Sequence, residues 1–191
     1  MAWQPDYAEL AKLKSYLHID DTADDWFLSM WVTATSRNVD DFCGRQFGQV
    51  DVAEERYYTP VYDRVDRCWY ATIDDLQDVT GLQVVDEDGT AVTDHVLLPR
   101  NAAAVGRPYE RLKLSRCTGE IAAEALWGWS AVPAAAPTGM FMQAARIAKR
   151  RDSPFGVAGS PSEGSELRLL AQLDPDFRTT LKPLQRRWWA A

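Results

Sequence analysis

The stretch Leu126-Trp127-Gly128-Trp129, followed by Pro133, Pro137, the apolar run Met140–Ala148 and then Lys149-Arg150-Arg151-Asp152-Ser153-Pro154-Phe155-Gly156, decides how this chain folds. It joins a strand end, a helix and a loop. Trp127 and Trp129 stand two residues apart and so share one face of an extended strand. Pro133 or Pro137 suits the first turn of a helix, where a missing amide hydrogen costs little. Met140, Phe141, Ala144, Ile147 and Ala148 then recur at helical spacing, and Arg146, Lys149, Arg150 and Arg151 close the helix with charges that complement its dipole. Residues 152–164 are rich in Ser, Pro and Gly and read as a mobile loop.

Moving outward, the N-terminal side reads as two helices. Asp6 followed by Glu9 resembles a capping box, and Leu10, Leu13, Tyr16 and Leu17 continue at helical spacing, predicting a first helix over 7–17. Thr22 can cap a second, with Asp24 and Asp25 in its first turn and Gly44 as its stop. Phe27, Met30, Trp31, Ala34, Val39 and Phe42 supply its expected apolar face, and the pair is expected to form an antiparallel hairpin. From about Val52 to Trp129 the period shifts toward two. β-favouring runs at Arg56–Tyr58, Cys68–Ile73, Leu82–Val85, Ala91–Leu98, Tyr109–Leu114 and Glu120–Trp127 are separated by turn residues, with Asp88-Gly89 the clearest hairpin signal. Beyond the loop, Leu167, Leu169, Leu170 and Leu173 precede Asp174-Pro175-Asp176, and the chain runs on into a basic segment with Arg186-Arg187-Trp188-Trp189.

The predicted class is therefore α+β: a small bundle of three to four helices with an inserted antiparallel β-sheet or hairpin region and an extended C-terminal tail. The expected divisions are 1–50 (helical hairpin), 51–129 (β-rich insertion), 130–151 (a third core helix packing with 1–50) and 152–191 (loop and docking tail).

A chain of 191 residues can bury roughly 70% of its unfolded surface without staples. Its three cysteines are odd in number and irregularly spaced, and no charged-then-apolar leader precedes them, so a reducing cytoplasm is expected and neither a disulfide framework nor a zinc knuckle is. The uncharged window 125–145 is interrupted by Gly128, Pro133, Pro137, Gly139 and Gln143 and is mostly alanine, which argues against a membrane span. Residues 1–139 hold 12 Lys+Arg against 23 Asp+Glu, a net of −11, and residues 140–191 hold 9 against 5, a net of +4. Two parts so different in charge suit different partners. The acidic majority argues against DNA binding through phosphate neutralisation.

No constellation demands catalysis, and no catalytic, cofactor or metal residues are assigned. The pairs Asp20/Asp21, Asp24/Asp25, Asp40/Asp41 and Asp74/Asp75 invite an acid/base reading, but they fall where helix caps and turns are the ordinary explanation. His18 and His95 lie near no nucleophile, and Asp86-Glu87-Asp88-Gly89 lacks the ligand alternation of a calcium loop. Trp188 and Trp189 sit beside Arg186 and Arg187, and Trp and Arg are the residues most enriched at interface hot spots. That segment reads as a docking element, against the alternatives of a frayed end or an interfacial membrane anchor.

Taken in order, the Leu10–Leu17 helix, the Ile19-Asp20-Asp21 turn, the long second helix ending at Phe42-Cys43-Gly44-Arg45-Gln46-Phe47, the β insertion, Gly128-Trp129 with Pro133, and the Arg150–Gly156 run closely resemble the head-to-tail connector (adaptor) proteins of long-tailed double-stranded DNA phages. The likeness spans about residues 8–187, rests on the order of parts, and is strongest for connectors of actinobacteriophages.

The resemblance implies a structural virion protein and not an enzyme, located in the head–tail neck and assembled in the bacterial host cytoplasm. It implies partners as well: the portal protein above, a next connector or tail-completion protein below, and further copies of itself in a ring, commonly of twelve. Double-stranded DNA would pass through this ejection conduit unread, and no membrane is involved. The helices would form the subunit body, and the docking residues toward portal or neighbour would be Arg150, Arg151, Phe155, Phe177, Arg178, Arg186, Arg187, Trp188 and Trp189. Twelve copies at −7 each would carry about −84, which suits a lumen that repels DNA. The alternatives are a tail-completion or assembly factor binding tail proteins through the Trp/Arg tail, and a hydrolase using the paired aspartates.

Overall fold

The structure, a computed structural model, describes residues 4–117, 119–151, 157–158, 167–168 and 173–186. The chain is α+β and divides into two units. Residues 46–132 form a β unit, and residues 5–45 together with 133–187 form a helical unit.

In the β unit, strands β1 (Glu54–Tyr58), β2 (Val61–Asp63), β3 (Cys68–Leu76), β4 (Gln83–Val85), β5 (His95–Leu98), β6 (Tyr109–Leu114) and β7 (Ile121–Ala125) build two antiparallel sheets. One has the order β1-β7-β4, the other β2-β3-β6-β5. This is more sheet than the small insertion expected, and β2 is an addition: its Val61 and Tyr62 are both exposed, so it lacks the alternation that marks a half-buried strand. Alternate residues of both sheets meet in one core: Ala71, Ile73 and Leu76 of β3, Val84 of β4, Leu112 and Leu114 of β6, and Ile121, Ala123 and Ala125 of β7, with Trp127 behind them. The Asp88-Gly89 turn forms, with Gly89 at φ 77° and the Thr90 and Asp88 amides donating to Asp86 Oδ1 at 2.8 and 3.1 Å. Its second arm makes only a bridge, Ala91 to Val85, and the ladder partner of β4 is β7.

Three backbone segments converge on Gly128. Its N–H donates to Asp75 O at 2.6 Å and its carbonyl accepts from Gln77 N at 3.1 Å, while Val50 N donates to Trp127 O at 2.9 Å and Trp129 N to Gly48 O at 2.8 Å. Gly128 sits at φ 114°, a left-handed region that side chains rarely adopt, and a Cβ there would lie 1.9 Å from Gly48 O. The flanking indoles are both buried. Trp127 packs edge-on against Tyr58 with ring centroids 5.6 Å apart and donates through Nε1 to Glu54 O at 2.7 Å. Trp129 packs edge-on against Phe47 at 5.1 Å and donates to Asp75 Oδ2 at 2.7 Å.

The helical unit contains four helices among the described residues: α1 (Leu10–Leu17), α2 (Asp25–Cys43), α3 (Ala135–Arg151) and α4 (Pro175–Leu181). The expected capping box does not form. Glu9 occupies the cap of α1 with no side-chain bond, and Asp6 Oδ2 instead accepts from Thr33 Oγ1 of α2 at 3.0 Å. Tyr7 adds to this tie, its N–H donating to Ser36 Oγ at 3.1 Å and its hydroxyl to Asp40. Nor does Thr22 cap α2; Asp24 holds that position, also without a side-chain cap. Pro137 lies in the first turn of α3, where the amides have no helical partner in any case. α3 buries Ala136, Gly139, Met140, Gln143 and Ala144. The two-residue strands β8 (Val157–Ala158) and β9 (Leu167–Arg168) pair antiparallel; the rest of the predicted loop lies outside the described residues. No helix among the described residues is long and apolar enough to cross a membrane.

Two predictions follow from this packing. Gly128→Ala must move backbone to admit its methyl group, so chemical denaturation should show a loss of at least about 2 kcal/mol. The second concerns Cys43 at the end of α2, where burial pushes the thiol up to about 12. The thiol is held neutral, so its contribution to stability is complete below the ordinary thiol value and is lost as pH climbs toward 12. Native alkylation at pH ~8 followed by mass spectrometry should leave Cys43 unmodified until the protein is unfolded.

Candidate functional site

The clearest candidate surface lies on α2, and sequence reasoning placed it on the wrong side. The buried face of this helix is Leu28, Val32, Thr35, Ser36, Val39 and Cys43, a stripe with two hydroxyl residues in its middle. Those hydroxyls are satisfied within the helix: Thr35 Oγ1 donates to Trp31 O at 2.6 Å and Ser36 Oγ to Val32 O at 2.7 Å. Trp26 and the expected core residues Phe27 and Met30 lie on the opposite side at 100° per residue and are 69%, 41% and 49% exposed. Val39 alone of the expected face is fully buried.

This exposed stripe is organised. Trp26 stands edge-on to Phe27 with centroids 4.7 Å apart. The Arg151 guanidinium, from the last turn of α3, lies 5.4 Å from the Trp31 ring centre and 5.9 Å from that of Phe27, within the range of cation–π attraction. Its Nη2 also donates to Asp24 Oδ2 at 2.8 Å, and that hydrogen bond holds the Asp24 carboxyl below its ordinary value. Beside α2, the exposed Tyr16 of α1 stacks on Phe141 of α3 at 5.3 Å. A cluster of exposed apolar side chains such as Trp26, Phe27 and Met30 marks interaction sites more often than a singly exposed apolar residue does.

The sequence-predicted docking residues have varied fates. Arg150 is exposed, and Arg151 is engaged as described. Phe155, Arg187, Trp188 and Trp189 lie outside the described residues. Phe177 is fully buried and packs edge-on against Phe42 at 5.4 Å, so its ring serves the core of the helical unit. Arg178 is exposed. Arg186 is half-buried, and its N–H donates to Cys43 O at 2.7 Å.

The expected extended tail from Asp174 onward is thus partly a helix of the body. Asp174 caps α4, its Oδ1 accepting from Asp176 N at 2.8 Å and Phe177 N at 3.4 Å. Its own amide donates to Gln143 Oε1 at 3.1 Å, and Arg146 pairs with its carboxylate at 3.3 Å. Gly139 admits Leu181 closely, since a Cβ there would meet Leu181 Cδ1 at 2.9 Å.

The acidic pairs are mostly divided. Asp74 Oδ2 accepts from Arg56 at 2.9 Å and from the Tyr58 hydroxyl at 3.0 Å, while Asp75, on the other face of β3, meets Trp129. Asp24 takes Arg151 and Asp25 takes Lys14. Asp40 accepts from Tyr7 and pairs with Arg37, while Asp41 is exposed. Asp20 and Asp21 are both exposed. Among the described residues, no group of three or more His, Cys, Asp or Glu side chains is placed to hold a metal ion.

No family model matches the chain, and no curated protein matches it.

Phe177→Ala should lower the stability of the protein by about 3–5 kcal/mol in thermal or chemical denaturation. A residue displayed for a partner would lose affinity there and leave stability unchanged.

Proposed function

We propose that this chain is a structural virion protein, a subunit of a head-to-tail connector ring that docks under the portal and forms part of the DNA conduit to the tail. The observation that carries this reading is the order of parts: a helical unit assembled from both sides of the sequence, with a β unit inserted between its second and third helices. That is the order on which the likeness to phage connectors rests.

Charge distribution supports it. Residues 46–132 hold 8 Lys+Arg against 15 Asp+Glu, a net of −7, whereas 5–45 and 133–187 together hold 13 against 13. The whole net charge of −7 therefore belongs to the β unit. A ring of anionic units repels DNA phosphates and lets a duplex pass without capture. The near-neutral helical unit, with its exposed aromatic stripe, has the surface chemistry of a protein-binding body.

The test is co-sedimentation of the full-length chain with the portal protein encoded by the same genome. Binding in ring stoichiometry is the expected result. A chain that stays in the supernatant with portal but sediments with tail proteins would overturn the connector reading in favour of tail completion.

A further inference from the structure

We infer that the exposed Trp26-Phe27-Met30 stripe of α2 receives the Arg187-Trp188-Trp189 segment of a second copy of this chain. The inference rests on the ring proposed above and names the contact between its copies.

Geometry keeps the same segment of the same chain from the Trp26–Phe27 end of the stripe. Arg186 is tied to the far end of α2, through its N–H to Cys43 O at 2.7 Å and through Gln185 Nε2 to Phe42 O at 3.0 Å. Phe27 precedes Cys43 by sixteen positions in a continuous helix, about 24 Å at 1.5 Å per residue. Trp189 is three residues beyond Arg186, a step of about 11 Å at full extension. Full extension therefore leaves about 13 Å along the axis to Phe27, wider than an indole side chain spans, and helical side chains tilt toward the N-terminus, which carries Phe27 and Trp26 further away. A donor segment at one end of α2 and the Trp26–Phe27 pair at the other are joined between copies. Such a head-to-tail contact propagates and closes into a ring when its rotation permits.

Chemistry matches the two surfaces. The stripe offers aromatic faces and a thioether, which suit indole rings. The loop leading into this end of α2 carries Asp20 and Asp21, both exposed, and these complement Arg187. The arrangement at Arg151, a guanidinium over Phe27 and Trp31 with a carboxylate at its edge, is an Arg–aromatic–acid contact of the same kind already made within one subunit.

The test uses the full-length chain with p-benzoylphenylalanine in place of Trp26, prepared in light and heavy nitrogen forms, mixed and irradiated. Cross-linked peptides pairing one light with one heavy chain, and mapping to residues 186–189, are expected. In the Trp188→Ala/Trp189→Ala variant, whose melting curve should match the parent, their yield should fall roughly tenfold or more. Cross-links only within one isotope, cross-links to another part of the neighbour, or none at all would overturn the inference. Added portal protein separates the two readings: portal binding without the tail cross-link sinks the stripe and spares the connector, and the tail cross-link without portal binding does the reverse. Cross-links that move from the tail to the portal protein would also sink the stripe as a receptor for a second copy.

Discussion

Residue 128 has no room for one more carbon, and the β unit closes around that fact. Segments 48–50, 75–77 and 127–129 exchange four backbone hydrogen bonds within a few ångströms of Gly128, a density that only a residue without a side chain allows. The close approach places Trp127 and Trp129 on either side of it, one in the shared core of the two sheets and one against Phe47. Their indole N–H groups are satisfied by Glu54 O and Asp75, as buried indoles require. Asp75, itself buried, thereby gains a donor it needs. Sheet closure, two large buried side chains and a buried carboxylate all depend on one glycine.

Much of this fold was legible. Runs with clear alternation, such as Tyr109–Leu114, became strands at the same residues, and the third helix began two residues before the predicted Pro137. The missed strand, β2, pairs with β3 through its backbone and a Tyr62–Trp69 ring contact at 5.2 Å, yet its Val61 and Tyr62 are both exposed, so no burial pattern announces it. The helical part of the tail was misjudged for a related reason. Seven residues are too few for a periodic signal, and what holds α4 is tertiary: Gln143 and Arg146 seat the Asp174 cap, and Gly139 lets Leu181 approach.

The candidate site was hidden by an ambiguity internal to α2. Its sequence carries two stripes about half a turn apart, one richer in large apolar residues and one interrupted by Thr35 and Ser36. Judged by hydrophobicity alone, the aromatic stripe is the core. Packing chose the other because the N-terminal segment docks there through hydrogen bonds from Tyr7 N–H to Ser36 Oγ and from the Tyr7 hydroxyl to Asp40. The polar residues of the stripe were the signal. A hydroxyl at helical spacing between Leu28, Val32 and Val39 can be buried cheaply because it bonds back to its own helix, whereas Trp26 beside Asp24 and Asp25 has no such reason to be inside.

An exposed aromatic stripe is ordinarily a liability, since it invites indiscriminate association. Here the acidic start of α2 and the net charge of −7 oppose chance encounters between copies, so a productive contact needs a partner that brings its own positive charge along with aromatic surface. The Arg187-Trp188-Trp189 segment has that composition, and its attachment at the Cys43 end of α2 means that within one copy the donor does not cover the Trp26–Phe27 end of its own acceptor. Single contacts of this size are weak, because ordering a short segment offsets most of its interaction energy. Around a closed ring, each new copy engages two neighbours, and the second engagement is intramolecular with a raised effective concentration. Weak pairing in solution and firm assembly on a template then follow from the same two patches, with the template supplying the closure that dilute copies lack.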